Sequence, residues 1–367
     1  MRLTSLLGFF IGLMLALSAN AQTNLTATTV VDGLEHPWAL DFLPDGRALV
    51  TERPGRLRIL QTDGTLSEPL AGVPAVHHEG QGGLLDVLAA PDFDESKRIY
   101  FTYAEPGTDD TAGTAVAMAT LGENSLENVT VIFRQQPKVE GDNHFGSRLA
   151  FDGEGYLFIG LGERFDYSEQ AQTLDNHLGK VIRLHADGSV PEDNPFVDTE
   201  GALPEIWSYG HRNIQGMATH PQTGKVWLHE HGPRGGDEIN IPQAGQNYGW
   251  PEASYGSHYS FIPIEDNHSE QGFAEPIHHW TPSIAPSGMV FYTGDAIPQW
   301  KGNVFVGALA KTHLARLKLD ANTVVEEEQL LAEHEARIRD VTQGPDGVLY
   351  VLTDSDNGEI WKLSLHP

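Results

Sequence analysis

Six times along the chain, a short apolar segment is followed by a polar turn and then by a second apolar segment rich in aromatic and β-branched residues. The first of these, "HPWALDFLPDGRALVTE", begins at His36. Apolar and polar positions alternate with the period of two that is typical of strands, and Asp, Gly and Pro supply the turn geometry. The pattern predicts six β-hairpins, with turns near the following residues: Pro44, Pro91, Asp152, Pro221, Asp295 and Pro345.

The hairpins recur at intervals of roughly 45 to 75 residues, a spacing that suits four-stranded propeller blades with inserted loops. We therefore predict an all-β fold, a six-bladed β-propeller with four-stranded antiparallel blades. The segments Leu25–Leu34 and Gly358–Leu365 are expected to pair and close the ring. A helical insertion is predicted at Ser168–Leu178. A β-sandwich is the alternative that periodicity leaves open.

The N-terminus has the pattern of a secretory signal peptide. Arg2 precedes an apolar run, Leu6–Leu17, that is too short to span a bilayer comfortably, and a small-residue cleavage site ends at Ala21. We predict a signal peptide at residues 1–21 and a single propeller domain at residues 22–367. The mature chain is expected to have no membrane span and to be periplasmic or secreted.

Composition excludes several classes of chemistry. The 367 residues include no cysteine, so thiolate catalysis, zinc–cysteine sites and iron–sulfur clusters are excluded. The formal net charge of −28 makes the chain a poor ligand for polyanions, so no nucleic acid is expected as a partner.

Basic residues are scarce, with 23 Lys and Arg against 51 Asp and Glu, so their clustering is informative. Arg212 lies in "YGHRNIQG", Lys311 follows one predicted strand, and Arg337 and Arg339 are two residues apart, which places them on one side of a strand. Surface ion pairing explains any one of these cations best. Together the four predict a site for an anion.

A glycine-rich loop within His229–Pro251 is a candidate metal site. Gly232 and Pro233 precede two further glycines in a tight loop that exposes backbone carbonyls, and Glu238 follows it. Coordination by oxygen alone suits Ca²⁺.

Two other candidate metal sites are weaker. His229 and His231 lack a clear third ligand for zinc, so their position at a strand end is the commoner explanation. The segment "DSDNGE", which begins at Asp354, lacks the spacing of an EF-hand loop and is interpreted as a turn.

Several motifs occur together and in order over nearly the whole mature chain: "GQGGLLD", "GDNHFGSRL", "YGHRNIQG", "EHGPRGGDEIN", "NYGWP" and "RIRDV". In this combination the chain resembles the soluble aldose sugar dehydrogenases that depend on pyrroloquinoline quinone (PQQ), relatives of soluble glucose dehydrogenase. The resemblance implies a six-bladed propeller with PQQ and Ca²⁺ at one mouth of the channel.

The resemblance also implies roles for individual residues. His144 matches the general base, and Glu163 stands near the position where the glucose dehydrogenase branch has an Asp that supports it. Cofactor contacts are implied for seven residues: Gln81, Arg212, Asn213, Tyr259, Lys311, Arg337 and Arg339. Arg212 is also expected to stabilise charge during the reaction. Calcium ligands are implied at four residues: Gly232, Pro233, Glu238 and Tyr248.

The implied activity is oxidation of aldoses at the anomeric carbon to lactones, with hydride transfer to PQQ and electrons passed to a quinone, cytochrome or dye acceptor. A monomer or weak dimer is expected, because loops that form dimer contacts in the family are shorter here. Two alternatives remain: a calcium-dependent propeller lactonase, and a non-catalytic binding propeller.

Overall fold

The computed structural model describes residues 25–365, so the predicted signal peptide at residues 1–21 lies outside the described residues. Within that range the strands, in chain order, are β1 Leu25–Leu34, β2 Pro37–Phe42, β3 Ala48–Glu52, β4 Arg56–Leu60, β5 Leu84–Ala89, β6 Arg98–Pro106, β7 Ala112–Leu121, β8 Leu126–Arg134, β9 Gly146–Phe151, β10 Leu157–Leu161, β11 Lys180–Leu184, β12 Ile206–Tyr209, β13 Ile214–Thr219, β14 Val226–Glu230, β15 Asp237–Asn240, β16 His278–Trp280, β17 Pro286–Phe291, β18 Val304–Ala308, β19 His313–Asp320, β20 Thr323–Leu330, β21 Ile338–Gln343, β22 Leu349–Thr353 and β23 Gly358–Leu365.

Helices are short and few in this part of the chain. They are α1 (Phe93–Ser96) and the 3₁₀ helices Ser168–Gln172, Ser269–Gln271, Pro298–Trp300 and Ala332–His334. No helix within residues 25–365 is long and apolar enough to cross a membrane.

The strands form six antiparallel sheets, which are the blades of a propeller. Blade 1 consists of β2–β4, blade 2 of β5–β8, blade 3 of β9–β12, blade 4 of β13–β16, blade 5 of β17–β20, and blade 6 of β21–β23 together with β1. β1 pairs with β23 from Leu25 opposite Leu365 to Leu34 opposite Gly358, so the N-terminal strand closes the ring as predicted. The six predicted turns each join the first and second strands of a blade, and the predicted fold class is confirmed.

Blade 1 differs from the expected four strands. Its fourth position is taken by an irregular segment in which Leu66 bridges to Leu60 and the Leu70 N–H donates to the Leu57 carbonyl at 2.8 Å. Pro69 lies inside this segment and has no N–H to donate, which interrupts a regular ladder. The sheet of blade 1 therefore has three regular strands.

The predicted helical insertion at Ser168–Leu178 is wrong in extent, because the helix ends at Gln172. The backbone of Thr173 is already extended, and the Asn176 side-chain amide donates to Thr173 Oγ1 at 2.6 Å and to Gln170 Oε1 at 3.0 Å. Such side-chain bonds compete with helical hydrogen bonding and favour a turn.

The hydrophobic core divides into six clusters, one between each pair of neighbouring blades. Trp38 of blade 1 packs with Phe101 of blade 2, for example, and Trp227 of blade 4 packs with Phe291 of blade 5. Each blade therefore buries both faces against neighbours, which explains why second strands such as β10 (LFIGL) and β18 (VFVGA) are apolar at every position.

Charged residues link the innermost strands across the channel. Arg148 on β9 contacts Asp86 on β5 at 3.1 Å and Asp340 on β21 at 3.0 Å. Asp86 also accepts from the Leu149 N–H at 2.7 Å, and Asp340 accepts from the Leu40 N–H at 2.9 Å. These bonds join blade 2 to blade 3 and blade 6 to blade 1. Burial raises the pKa of Asp86 from 3.8 to about 6, although Arg148 opposes the change.

This raised pKa predicts a pH-dependent stability. The folded state binds a proton at Asp86 between pH 3.8 and about 6 that the unfolded chain has already lost, so stability falls as pH rises through that window. We expect Asp86→Asn to remove this contribution, up to about 1.4 kcal/mol per pH unit. Urea unfolding at pH 4.5 and pH 6.5 measures it. Asp94→Asn, on the exposed surface of α1, is the control, and an equal pH dependence in wild type and Asp86→Asn would contradict the assignment.

The candidate site residues converge because of the blade topology. Two sets of loops meet at one end of the channel: those that precede the first strand of each blade, and those that join the second strand to the third. His144 and Arg212 belong to the first set. Glu163, Gly232 and Asp354 belong to the second. Residues far apart in sequence are thereby brought to a single surface.

Candidate active site

His144 and Glu163 form a buried pair at this end of the channel. His144 Nδ1 lies 2.6 Å from Glu163 Oε2, and the two residues are 5% and 1% exposed. A carboxylate at this distance holds the ring proton on Nδ1. Nε2 is then the atom with a free lone pair, and it is available to accept a proton.

The backbone explains how the two residues meet. His144 has a left-handed conformation with φ of 52°, and Gly162 packs directly beneath it. A Cβ on Gly162 would lie 2.0 Å from the His144 carbonyl oxygen, so only glycine fits there. The Glu163 N–H donates to the Arg212 carbonyl at 2.9 Å. The three loop segments that carry His144, Glu163 and Arg212 are therefore fixed to one another.

The electrostatic surroundings favour a neutral imidazole. Burial lowers the pKa of His144 below its usual range. Glu163 acts in the opposite direction, while the Arg212 and Arg164 guanidinium groups lower the pKa further. A neutral imidazole at neutral pH is the form that can act as a base.

Arg212 and Asn213 connect this pair to the glycine-rich loop. The Arg212 guanidinium donates to the Gly232 carbonyl at 2.6 Å and to the Tyr259 hydroxyl at 3.2 Å. Asn213 Oδ1 accepts from the Gly146 N–H at 3.1 Å. Arg212 therefore reaches the loop that is expected to bind calcium, and Asn213 fixes the strand that follows His144.

A cavity of about 390 Å³ is lined in part by Phe145 and Gly146, the two residues that follow His144 in the chain. Its lining includes three of the predicted cofactor residues: Gln81, Arg337 and Arg339. Gln81 Oε1 also accepts from the His144 N–H at 2.9 Å, which ties the cavity to the base. The volume lies within the range usual for small-molecule sites.

Three arginines line this cavity against one carboxylate. Arg337 and Arg339 each contact Asp354 at 2.9 Å, and Arg53 approaches from blade 1. Burial acts to raise the pKa of Asp354, but Arg339 and Arg337 hold it below the usual range. With Asp354 ionised, the four groups carry a net charge of +2 in a chain whose total is −28. The cavity therefore suits a small molecule with several carboxylates.

The other four predicted cofactor residues are not among those that line the cavity: Arg212 and Asn213, described above, and Lys311 and Tyr259. Lys311 is exposed and lines a separate surface pocket with Glu327 and Trp280. Tyr259 is 59% exposed and meets the site through its hydroxyl contact with Arg212. Arg53, which was not among the predicted cofactor residues, does line the cavity.

The glycine-rich loop surrounds a second, much smaller cavity. Its volume is about 10 Å³, near the minimum that holds one water molecule, and its lining includes Gly232, Glu230, Glu238 and Tyr248. Burial, reinforced by the charge of Glu230, raises the pKa of Glu238 well above its usual range. The described residues contain no cluster of three or more His, Asp or Glu side chains arranged around a metal. A cation in this loop would therefore need backbone carbonyls such as that of Gly232.

Comparison with known proteins identifies the family. A family model described as glucose/sorbosone dehydrogenase matches residues 34–362. The chain is 49% identical over 365 residues to the aldose sugar dehydrogenase YliI of Escherichia coli, covering 97% of this chain and 98% of that protein. The chain belongs to the glucose/sorbosone dehydrogenase family. It is therefore an oxidoreductase, and the predicted resemblance to PQQ-dependent sugar dehydrogenases is confirmed.

Solved structures of glucose/sorbosone dehydrogenase relatives share the fold. The apo form of the soluble E. coli aldose sugar dehydrogenase superposes with a TM-score of 0.90 at 49% identity, over 93% of this chain and 100% of that chain. The PQQ-bound form of an aldose sugar dehydrogenase from Streptomyces coelicolor superposes with a TM-score of 0.79 at 27% identity, over 94% of this chain and 99% of that chain. The propeller is thus common to apo and PQQ-bound relatives.

Sequence reasoning missed two residues of this dehydrogenase site. The sequence analysis did not single out Arg53, and it interpreted Asp354 as part of a turn. Asp354 does follow β22, but its carboxylate faces the arginines. Both residues lie in loops between the second and third strands of a blade, so their position within the hairpin repeat is the signal that would have found them.

Proposed function

We propose that the protein is an exported aldose sugar dehydrogenase that uses PQQ and calcium. It oxidises aldoses at the anomeric carbon to lactones and passes electrons to a quinone, cytochrome or dye acceptor. The observation that carries this proposal is the cluster of Arg53, Arg337 and Arg339 in a cavity whose residue Gln81 is hydrogen-bonded to His144, the partner of buried Glu163. The three arginines bind a polyanionic cofactor, and His144, held by Glu163, removes a proton.

The residues of the cavity fit PQQ by their chemistry. PQQ carries three carboxylates, and guanidinium groups bind carboxylates through paired, charge-assisted hydrogen bonds. When bound, PQQ supplies the two-electron acceptor that amino-acid side chains lack. The relative from Streptomyces coelicolor, 27% identical to this chain, has a PQQ-bound structure.

The proton chemistry falls to His144. Nε2 accepts the proton of the anomeric hydroxyl as the C–H bond of the same carbon is broken. Glu163 holds Nδ1–H and stabilises the imidazolium that forms. The Arg212 guanidinium would stabilise the negative charge that develops on a quinone oxygen of bound PQQ.

The two alternatives from the sequence account for fewer of these features. A calcium-dependent lactonase would use His144 and calcium but would not need Arg337 and Arg339 to line one cavity. A binding propeller would not need the neutral imidazole of His144 held by Glu163. The same experiment separates all three.

The test is reconstitution of the purified mature protein with PQQ and Ca²⁺, followed by dye reduction with a panel of aldoses. We expect a PQQ-dependent change in absorbance and aldose-dependent dye reduction. Hydrolysis of lactones without PQQ would instead favour the lactonase. Neither activity, with a folded protein, would favour the binding propeller.

Calcium should stabilise the protein through the glycine-rich loop. The backbone carbonyls of Gly232 and Pro233 are proposed to hold one ion, and Glu238 with the Tyr248 carbonyl a second. Saturating calcium at about 100 times its Kd adds roughly 2.7 kcal/mol of stability, a rise of several degrees in Tm. We expect Glu238→Gln to reduce that rise, because its carboxylate would no longer bind the ion.

Thermal unfolding with calcium and with a chelator measures this difference. Asp266→Asn is the matched control, because Asp266 is an exposed carboxylate in the same long loop region of blade 4. An identical rise in Tm for wild type and Glu238→Gln would remove Glu238 from the calcium site.

A further inference from the structure

The side chain of Phe165 lies beside the catalytic imidazole in a conformation that folding alone does not explain. Its ring stands edge-on to the ring of His144, with centroids 5.1 Å apart and an interplanar angle of 78°. The ring is 41% exposed, so it contributes little to any core. Its backbone is left-handed, with φ of 68°, and that of Arg164 before it is also left-handed, with φ of 64°. Such conformations are unfavourable for bulky residues.

A buried arginine maintains this conformation. The side chain of Arg164 is fully buried, and its guanidinium donates to the carbonyls of Ala112 at 2.5 Å, Asn143 at 2.9 Å and Gly141. It also stacks on the Phe145 ring at 3.8 Å. The Phe165 N–H donates to Glu163 Oε2 at 2.9 Å. The surroundings therefore fix an exposed ring at one place, and strain that is held in this way is characteristic of functional sites.

Tyr259 extends the apolar surface that Phe165 begins. The two ring centroids are 6.1 Å apart with an interplanar angle of 36°, which leaves no room for a sugar ring between them. The rings instead form one wall. At one end of the wall is His144, and at the other the Tyr259 hydroxyl contacts Arg212. A molecule that approaches His144 from the side of Phe165 therefore lies against this wall.

We infer that Phe165 is a substrate-binding residue whose ring packs against the apolar C–H face of the aldose. Pyranose rings present such faces, and an aromatic ring next to a proton acceptor can orient one without hydrogen bonds. This inference rests on the proposed function and adds a determinant of substrate choice. An axial hydroxyl on the packed face would interrupt the contact, so Phe165 would discriminate among epimers.

The contact predicts a particular kinetic change. Packing of a C–H face against Phe165 is the same before and during proton removal, so it is uniform binding and affects KM rather than kcat. We expect Phe165→Ala to raise KM about five- to tenfold for the preferred aldose, as expected for loss of an aromatic contact. kcat should change less than twofold. The variant Phe165→Tyr should have the same KM as the wild type, because it keeps the aromatic ring.

Phe261→Ala is the matched control. Phe261 is an exposed phenylalanine on the same rim, also left-handed with φ of 69°, and its ring packs on Arg234 rather than beside His144. Its KM should equal that of the wild type. Thermal unfolding of each variant reports whether the strained backbone is preserved, and Ala is no better suited than Phe to a left-handed φ.

A binding measurement complements the kinetics. In the PQQ-reduced, calcium-loaded protein kept without oxygen, turnover is blocked, and saturation transfer from aromatic protons to sugar C–H protons reports ring contact directly. We expect transfer in wild type and Phe261→Ala and a marked loss in Phe165→Ala. Equal transfer in all three proteins, or an unchanged KM in Phe165→Ala, would overturn the inference.

Two further outcomes are distinguishable. A fall in kcat with KM unchanged would show that Phe165 positions His144 rather than the sugar, which also overturns the inference. Failure of the wild type to reduce dye with any aldose would overturn the proposed function itself, and the substrate-binding role of Phe165 with it.

Discussion

His144→Asn is expected to leave a folded protein that binds PQQ but has lost kcat by roughly 10²–10⁴-fold, the usual contribution of a general base. Asn is the suitable replacement because φ at this position is 52°, a left-handed conformation that Asn tolerates better than Ala does. Steady-state dye reduction in the protein reconstituted with PQQ and calcium measures kcat. Titration with PQQ confirms that the cofactor is still bound.

Two companion variants make this result specific. His185→Asn changes an exposed histidine at the end of β11 and should leave kcat unchanged. Glu163→Gln removes the group that raises the pKa of His144, so the acidic limb of the kcat/KM profile should move to lower pH. Near-normal turnover of fully loaded His144→Asn would show that another group takes the proton.

The sequence was sufficient to predict the architecture because the architecture repeats. Six hairpins gave six blades, and their turn residues gave the position of each first connection. The pairing of Leu25–Leu34 with Gly358–Leu365 was also predictable, because a propeller needs a closing strand. The irregular fourth position of blade 1 was not, because it depends on one proline and on local bonds near Leu66.

Residues of the candidate site could be predicted where their type is rare in this chain, and could not be predicted where their type is common. Arg337 and Arg339 were conspicuous in an acidic chain, and the structure places both on one carboxylate. Asp354 was hidden, because an acidic residue in a turn is commonplace until its partners are known. Lys311 was expected among the cofactor contacts, yet its exposed position on the loop after β18 depends on side-chain direction, which spacing does not determine.

The position of Phe165 beside His144 also could not be predicted from the sequence. Its role depends on the left-handed backbone that it shares with Arg164, and nothing in the pattern of "GERFDY" reports that conformation. Only the three carbonyls around a buried guanidinium reveal why the ring lies beside His144. Local strain is a property of the packed structure, so its functional meaning was available only there.

Arg337→Met should weaken PQQ binding by about 10- to 100-fold, the range expected for loss of one charge-assisted hydrogen-bonding group. Arg337 is preferable to Arg339 for this test because its side chain is 49% exposed, so the substitution leaves no large buried cavity. Asp354 keeps its contact with Arg339 at 2.9 Å, which limits the disturbance to the fold. Quenching of tryptophan fluorescence measures the affinity, because Trp38 lines the cavity.

Arg47→Met is the control for this affinity measurement. Arg47 pairs with Asp45 in the turn between β2 and β3, at the opposite end of the channel from the cavity. The Arg47→Met substitution removes the same charge from the protein as Arg337→Met does. It therefore separates the loss of a local contact from the general effect of making the chain more acidic.

The affinity of the wild type for PQQ should also fall with added salt, because attraction between exposed charges is screened. An unchanged Kd in Arg337→Met would show that the cofactor carboxylates lie elsewhere, and the arginine cluster would then be a purely structural pairing with Asp354.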